Sequence, residues 1–237
     1  MSNKLSVVII TKNEENFIAD AINSAQFADD VLIVDSYSED KTREIAKKLG
    51  ARVISQKWLG FGSQKNKAIE LALNNWVFVL DSDERITLEL KNEIIEKLTD
   101  PLFDAYHVPR LNYFFGKKIK TCGLYPDHSI RLFNRVYGKF NNVPVHESVI
   151  LNSVNVPVGR LENHMIHLAY DNVEEFIEKQ KKYARLSSKK KNLAKALISP
   201  LWAFTRRYFF KFGFLDGRRG FLISKIYAKY TFWKYYK

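Results

Sequence analysis

At 237 residues with 46% apolar side chains, the chain is long enough for one large domain, or a domain with an appendage, and its apolar share excludes a disordered polypeptide. A single cysteine, Cys122, excludes a disulfide framework and points to a reducing compartment. The net charge of +12 is concentrated: residues 171–237 hold 17 Lys and Arg against 5 Asp and Glu, whereas residues 1–170 hold 21 of each sign. Between Trp202 and Tyr236 lie 14 of the 33 aromatic residues. The apolar run in MSNKLSVVIITKNEEN is too short for a secretory signal and lacks a small-residue cleavage site. No uncharged run approaches the roughly 18 residues that would span a bilayer. The expected location is therefore cytoplasmic, without a membrane span.

Short β-branched runs alternate with helical patterns over the first hundred residues. LSVVIIT (5–11), VLIVD (31–35), ARVIS (51–55) and WVFVL (76–80) are predicted strands. NFIADAINSA, KTREIAKKL, SQKNKAIELAL and LELKNEIIEKL are predicted helices between and after them. Alternation at this spacing implies right-handed βαβ units and a mostly parallel sheet with helices on both faces. Ligands bind beyond the carboxyl ends of such strands. The unusual polar residues fall there: Thr11-Lys12-Asn13-Glu14, Asp35-Ser36 and Asp81-Ser82-Asp83.

Beyond Asp100-Pro101 the pattern shifts to shorter strands, AYHVPRL, SIRLFNR and HESVIL, suggesting an antiparallel or mixed extension. A long basic helix is expected from Val173 to about Leu197, interrupted by Pro200. Two basic aromatic segments follow around the turn Leu215-Asp216-Gly217-Arg218-Arg219-Gly220.

In VFVLDSDERIT an apolar run stops at Asp81 and Asp83, with Glu84 directly after. Carboxylates crowded in this way repel unless a positive charge offsets them. A slight turn at a strand end lets Asp81 and Asp83 reach one hard cation, Mg²⁺ or Mn²⁺. An isolated pair would more often be a solvated turn leading into a helix. At the mouth of a parallel sheet the metal reading is the stronger one. Glu84 and Arg85 gain no such support and fit a supporting role or the start of the next helix. Asp35 can accept hydrogen bonds from a base or ribose, or serve as a turn residue before Ser38-Glu39-Asp40, with Asp40 placed to cap a helix. Thr11 lies beside main chain that can meet a base edge.

The order of these segments is distinctive. TKNEE at a strand end, then VLIVDSYSEDKT, GFGSQKNKAI and WVFVLDSDERIT, resembles the inverting glycosyltransferases of family two, with their GT-A fold. The later segments GLYPDHSIRLFNR, VPVHESVI, MIHLAYDNVEEFIEKQKKYARLSSK and GFLDGRRGF look like the bacterial lipopolysaccharide-core β-glucosyltransferase subgroup. The resemblance implies a nucleotide-sugar half over about residues 1–100, an acceptor half over about 101–170, and a membrane-associating helical region over 171–237. It places Thr11, Glu14 and Asp35 at the nucleotide and Asp81 and Asp83 at a divalent metal on the diphosphate. Lys65 and Asn66 match the polar segment before the metal strand.

Inverting transfer needs a base for the acceptor hydroxyl and positive charge on the departing diphosphate. Glu147 lies where related enzymes place the base, with His146 beside it. The resemblance makes His167, rather than His164, a third metal or phosphate contact, against a buried structural histidine. Arg131 is a candidate contact to the diphosphate or acceptor, set against a surface arginine on a strand. Asp127 is a weaker candidate for orienting the acceptor.

In LISKIYAKYTFWKYY, Leu222, Ile226, Tyr230 and Trp233 recur at helical spacing away from Lys225 and Lys229. That pattern fits a helix lying on anionic lipid headgroups, or one packed back on the protein with solvated lysines. The leading expectation is a metal-dependent transferase moving a hexose from UDP-glucose to a lipid-linked saccharide, the lipopolysaccharide inner core before an undecaprenyl-linked glycan. A nucleic-acid-binding protein would use the basic aromatic tail but leave the strand-end acids idle. A nucleotidyltransferase would carry a glycine-rich loop that TKNEENF lacks.

Overall fold

The structure, a computed structural model, describes residues 3–143, 147–153, 155–187 and 191–236. The chain forms two compact units, Met1–Arg110 with His128–His167, and Leu111–Asp127 with Leu168–Lys237.

The first unit begins with the predicted alternation: β1 (Leu5–Thr11), α1 (Ile18–Ala25), β2 (Asp30–Asp35), α2 (Thr42–Lys48), β3 (Arg52–Ser55), α3 (Phe61–Leu71) and β4 (Trp76–Asp81). It continues with β5 (Glu84–Ile86), α4 (Leu88–Thr99), β6 (Ala105–Phe114), β8 (Asp127–Asn134), β9 (Gly138–Phe140), β10 (Val149–Leu151), β11 (Val158–Arg160) and β12 (Met165–Tyr170), whereas β7 (Lys117–Ile119) and the ends of β6 and β12 fall in the second unit. The sheet order is β3-β2-β1-β4-β8-β6-β12-β5, parallel through the first four strands and mixed after β4 pairs antiparallel with β8.

Alternation along β1 explains the two-faced core. Leu5, Val7 and Ile9 point to the face covered by Ile18 and Ile22 of α1, Ala46 of α2 and Leu90 and Ile94 of α4. Val8 and Ile10 point to the opposite face, against Ala68 and Ile69 of α3. α1 buries Ile18, Ala21, Ile22 and Ala25, the spacing of one helical stripe. α4 starts where the Thr87 hydroxyl accepts from the Leu90 amide at 3.2 Å.

Two expectations for this unit change. The residues after the D-x-D form strand β5 instead of starting a helix, because β5 pairs antiparallel with β12. The HESVIL strand shortens to Val149–Leu151 in a two-stranded sheet with β9, so Glu147 lies in a loop.

In the second unit β7 pairs antiparallel with residues 112–114. Three helices follow: α5 (Val173–Leu186), α6 (Leu193–Thr205) and α7 (Gly217–Tyr236), with a π-helical turn Arg206–Phe210 and a 3-10 turn Gly213–Asp216 before α7. The single long helix expected from Val173 is thus two helices. α5 ends at Leu186, residues 188–190 lie outside the described part, and α6 restarts where the Asn192 side chain accepts from the Lys195 amide. Pro200 sits inside α6 without ending it. The local cost of an interior proline, about 3 kcal/mol, is outweighed by packing of α6 along α7. The core of this unit gathers Phe114, Tyr170, Phe176, Ile223 and Ile226 around the buried Cys122.

The expected turn through Gly220 ends early, since α7 already begins at Gly217. Gly220 has a different reason to be glycine. A Cβ there would lie 1.8 Å from the Gly213 carbonyl oxygen, main chain that cannot step aside. Gly220→Ala is therefore expected to destabilise the second unit by about 1–3 kcal/mol. Chemical denaturation would check this, and an unchanged midpoint would contradict it.

Candidate active site

Register puts the strand-end polar residues on one edge of the first unit. Thr11 pairs with Asp35 across β1 and β2, and Ile10 pairs with Asp81 across β1 and β4. The carboxyl ends of three parallel strands therefore meet, the place where such sheets bind ligands.

The loops after β1 and β2 are braced by side chains bonded to main chain. Ser38 Oγ accepts from the Asn13 amide at 2.8 Å, Thr42 Oγ1 from the Glu14 amide at 2.7 Å, and Asn13 Oδ1 from the Glu39 amide at 2.9 Å. Asp35 is fully buried. Its carboxylate accepts from the Thr11 hydroxyl at 3.0 Å, the Ser38 amide at 2.9 Å and the Ser38 hydroxyl, and Arg43 lies 3.6 Å away. Asp35 makes the bonds of a turn residue at the strand end, the same place at which the nucleotide contact is expected. Thr11, Glu14 and Asp35 build the frame of the strand-end loops.

The D-x-D is held by cations that the acids alone did not reveal. Lys65, from α3, is buried and sits 2.9 Å from Asp81 Oδ1 and 2.8 Å from Glu147 Oε1. Arg131, from β8, lies 3.1 Å from Asp81 Oδ2 and 2.7 Å from Glu84 Oε1. Arg110 reaches Glu84 at 3.3 Å. The side chains Glu147, Lys65, Asp81, Arg131, Glu84 and Arg110 thus alternate in sign along one chain of contacts. Burial would raise the Asp81 carboxyl, but Lys65 and Arg131 outweigh it and hold that carboxyl far below the usual carboxylate range. Burial would lower the Arg131 guanidinium, and Glu84 and Asp81 more than reverse that.

Of the two roles the sequence left open for Glu84, the structure shows the supporting one. It is fully buried, and its second oxygen accepts the Asp81 amide at 3.0 Å, which fixes the start of the D-x-D turn. Arg85 closes the same turn, donating to the Ser82 carbonyl at 2.6 Å, the Glu84 carbonyl at 2.7 Å and the Phe17 carbonyl at 2.9 Å. The signal was present in Arg110 and Arg131. Each sits within an apolar strand, where a guanidinium needs a buried acid.

Asp83 points the other way. Register sets His167 opposite Glu84, and His167 Nε2 lies 3.4 Å from Asp83 Oδ2, with side-chain exposures of 16% and 28%. Of the two histidine candidates, His167 is therefore the one at the D-x-D, whereas the His164 carbonyl accepts from the Thr87 hydroxyl. Asn66 donates to the Phe140 carbonyl and accepts from its amide, tying α3 to β9. Asp127 opens β8 and belongs to the second unit, and His146 lies outside the described residues.

The Asp83 carboxylate is a hard oxygen ligand of the type Mg²⁺ or Mn²⁺ takes, and the His167 ring nitrogen lies 3.4 Å from it, both partly open to solvent. Among the described residues no three His, Cys, Asp or Glu side chains converge as a ready-made metal cage.

Residues 6–155 match the family described as Glycosyl transferase family 2, and the chain belongs to that family. It is 33% identical to an uncharacterized glycosyltransferase of Rickettsia typhi, over 95% of this chain and 83% of that one. It is 28% identical to the lipopolysaccharide core biosynthesis glycosyltransferase LpsC of Rhizobium meliloti, over 96% of this chain and 89% of that one. In fold it is similar to Staphylococcus aureus TarS 1-349, crystallised in complex with UDP, with a TM-score of 0.51 and 16% identity over 90% of this chain and 75% of that one. The protein is a glycosyltransferase.

Proposed function

We propose that the protein is an inverting, metal-dependent hexosyltransferase that moves glucose from UDP-glucose to a lipid-linked saccharide of the lipopolysaccharide inner-core type. The observation that carries this reading is the chain of contacts from Glu147 through Lys65 to Asp81, beside Asp83 and His167, at the carboxyl edge of the sheet. The acceptor class is supported by the likeness to LpsC over nearly the whole chain. The basic aromatic region from 171 onward would hold the enzyme on an anionic membrane surface, where such an acceptor is presented. Among the described residues no helix is long and apolar enough to cross a membrane.

Asp83 and His167 would hold the ion, with Asp81 beside them. When bound, the metal supplies positive charge for a departing diphosphate. The loops braced by Thr11, Glu14 and Asp35 would receive the nucleotide. Glu147 takes the proton of the acceptor hydroxyl as its oxygen bonds to the anomeric carbon and the bond to the diphosphate breaks, which inverts that carbon. Lys65 holds the Glu147 carboxylate and Asp81 within one ammonium's reach, so base and donor site move as one body. Arg131 keeps Asp81 ionised and fixed in position.

Glu147→Gln keeps an acceptor for Lys65 and removes the base. Its kcat is expected to fall by about 10²–10⁴-fold, with a smaller loss of thermal midpoint than Asp81→Asn because Lys65 keeps Asp81. Transfer assays with UDP-glucose and isolated lipid-linked core saccharide would measure it, and near-normal turnover would exclude Glu147 as the base. Calorimetric titration of a nucleotide-sugar panel, with and without Mn²⁺, tests the donor. Preference for a non-uridine sugar would overturn that assignment.

A further inference from the structure

The sequence offers two basic aromatic segments, WAFTRRYFFKFGF and LISKIYAKYTFWKYY, as lipid-facing or packed back on the protein, and the fold buries the apolar stripe of the second. Ile223 and Ile226 of α7 lie in the core of the second unit, Leu222 packs against it, and the Tyr230 hydroxyl is bonded to Ser187. The unpartnered apolar surface lies one element earlier. On α6, Leu197 and Leu201 are one helical turn apart, with Ile198 and Trp202 alongside, and all four are exposed, Leu201 at 70%. The stripe continues past the helix end, where the Trp202 and Phe210 rings meet at 5.8 Å. Beyond it Phe212, Phe214 and Leu215 are also exposed, Leu215 at 69%. Phe212 is held at φ 54°, a left-handed conformation that a bulky residue adopts only under constraint, with its ring still outward.

So many large apolar side chains exposed between Leu197 and Leu215 are more than a solvated face carries. Their surroundings identify what covers them. Lys195, Arg206, Lys211 and Arg218 are exposed along the same stretch. The only acid between 191 and 236 is Asp216, whose carboxylate already accepts from the Thr121 hydroxyl. Exposed aromatics interspersed with cations, with one acid in the whole stretch, match the interface of an anionic bilayer. Arg207 is not part of this set, since it stacks 3.8 Å over Tyr227 and donates to the Cys122 carbonyl.

We infer that the α6 stripe and the turns between α6 and α7 are the membrane-inserting element, entering the acyl boundary of an anionic leaflet while α7 stays packed within the protein. This rests on the membrane reading proposed above and names the part that performs it.

Co-sedimentation of the full chain with phosphatidylglycerol-containing vesicles, compared with pure phosphatidylcholine vesicles, tests it. The double variant Trp202→Ser with Phe210→Ser removes two exposed rings and is expected to melt like the wild type. Its partitioning onto anionic vesicles should fall about tenfold or more. A part of the wild-type binding should persist in about 1 M salt, where charge attraction is screened beyond about 3 Å. If the double variant binds like the wild type while Lys225→Ala with Lys229→Ala releases it, the α6 assignment is wrong and the membrane reading stands. Wild type that binds neither vesicle overturns both. A wild-type dimer that the double variant turns into a monomer, without vesicle binding, would give this surface to a second copy of the chain.

Discussion

Replacing Asp83 with asparagine is expected to reduce sugar transfer by roughly a hundredfold or more, with the fold intact. The carboxylate is partly exposed and lies 3.4 Å from His167. Its loss would remove the hard oxygen ligand that the proposed metal needs, while asparagine keeps the shape of the side chain. The same variant should bind Mn²⁺ more weakly in a titration followed by electron paramagnetic resonance, a readout independent of turnover. Asp81→Asn should behave differently. It leaves Lys65 and Arg131 beside a neutral amide, so stability as well as activity should suffer. Full transfer by Asp83→Asn in the presence of a chelator would remove the metal from the mechanism.

The second large effect is on folding. Glu84→Ala is expected to cost about 3–5 kcal/mol, because it removes a fully buried carboxylate from the buried Arg131, which is then left to Asp81, and from the partly buried Arg110. It also orphans the Asp81 amide, which Glu84 accepts at 3.0 Å. Glu84→Gln, which keeps an acceptor of the same shape, should lose clearly less. Denaturant unfolding would measure both, beside Lys67→Ala at the exposed Lys67–Glu70 pair, where no measurable change is expected. A Glu84→Ala variant within about 1 kcal/mol of wild type would show that the two arginines find other partners or water.

The chain of ion pairs accounts for the crowding of acids in VFVLDSDERIT. Three carboxylates in four residues are tolerated because three cations from distant parts of the chain enter between them: Lys65 of α3, Arg110 of β6 and Arg131 of β8. Asp83 faces His167. The repulsion that suggested one bound cation is answered first by the protein's own lysine and arginines, which leaves the proposed metal to Asp83 and His167.

Much of the first hundred residues was legible because the controlling signals are local. Alternating β-branched strands, helical stripes and strand-end polar residues need only their neighbours in sequence, and β1 and β4 lie within a residue of their expected bounds. The strand-end position of Asp81 and Asp83 followed from the same pattern. Which of its two roles Glu84 takes was not legible, because its partners lie 26 and 47 residues away and nothing local distinguishes a buried acid from a solvated one. Asp35 was legible as a strand-end acid. That its oxygens would be taken up by Thr11 and Ser38 depends on how two loops meet.

The basic helices show the same division. Composition alone determined that the last quarter is cationic, aromatic and set apart from a neutral first part. Periodicity could not decide which apolar stripe faces outward, because α6 and α7 both carry one and the pattern is silent on which packs inward. Tertiary packing decided it: Ile223 and Ile226 of α7 fill the core with Phe114, Tyr170 and Phe176, which leaves Leu201 and Trp202 of α6 at the surface. Hydrophobic periodicity shows that a face must be covered, and only the three-dimensional arrangement shows what covers it.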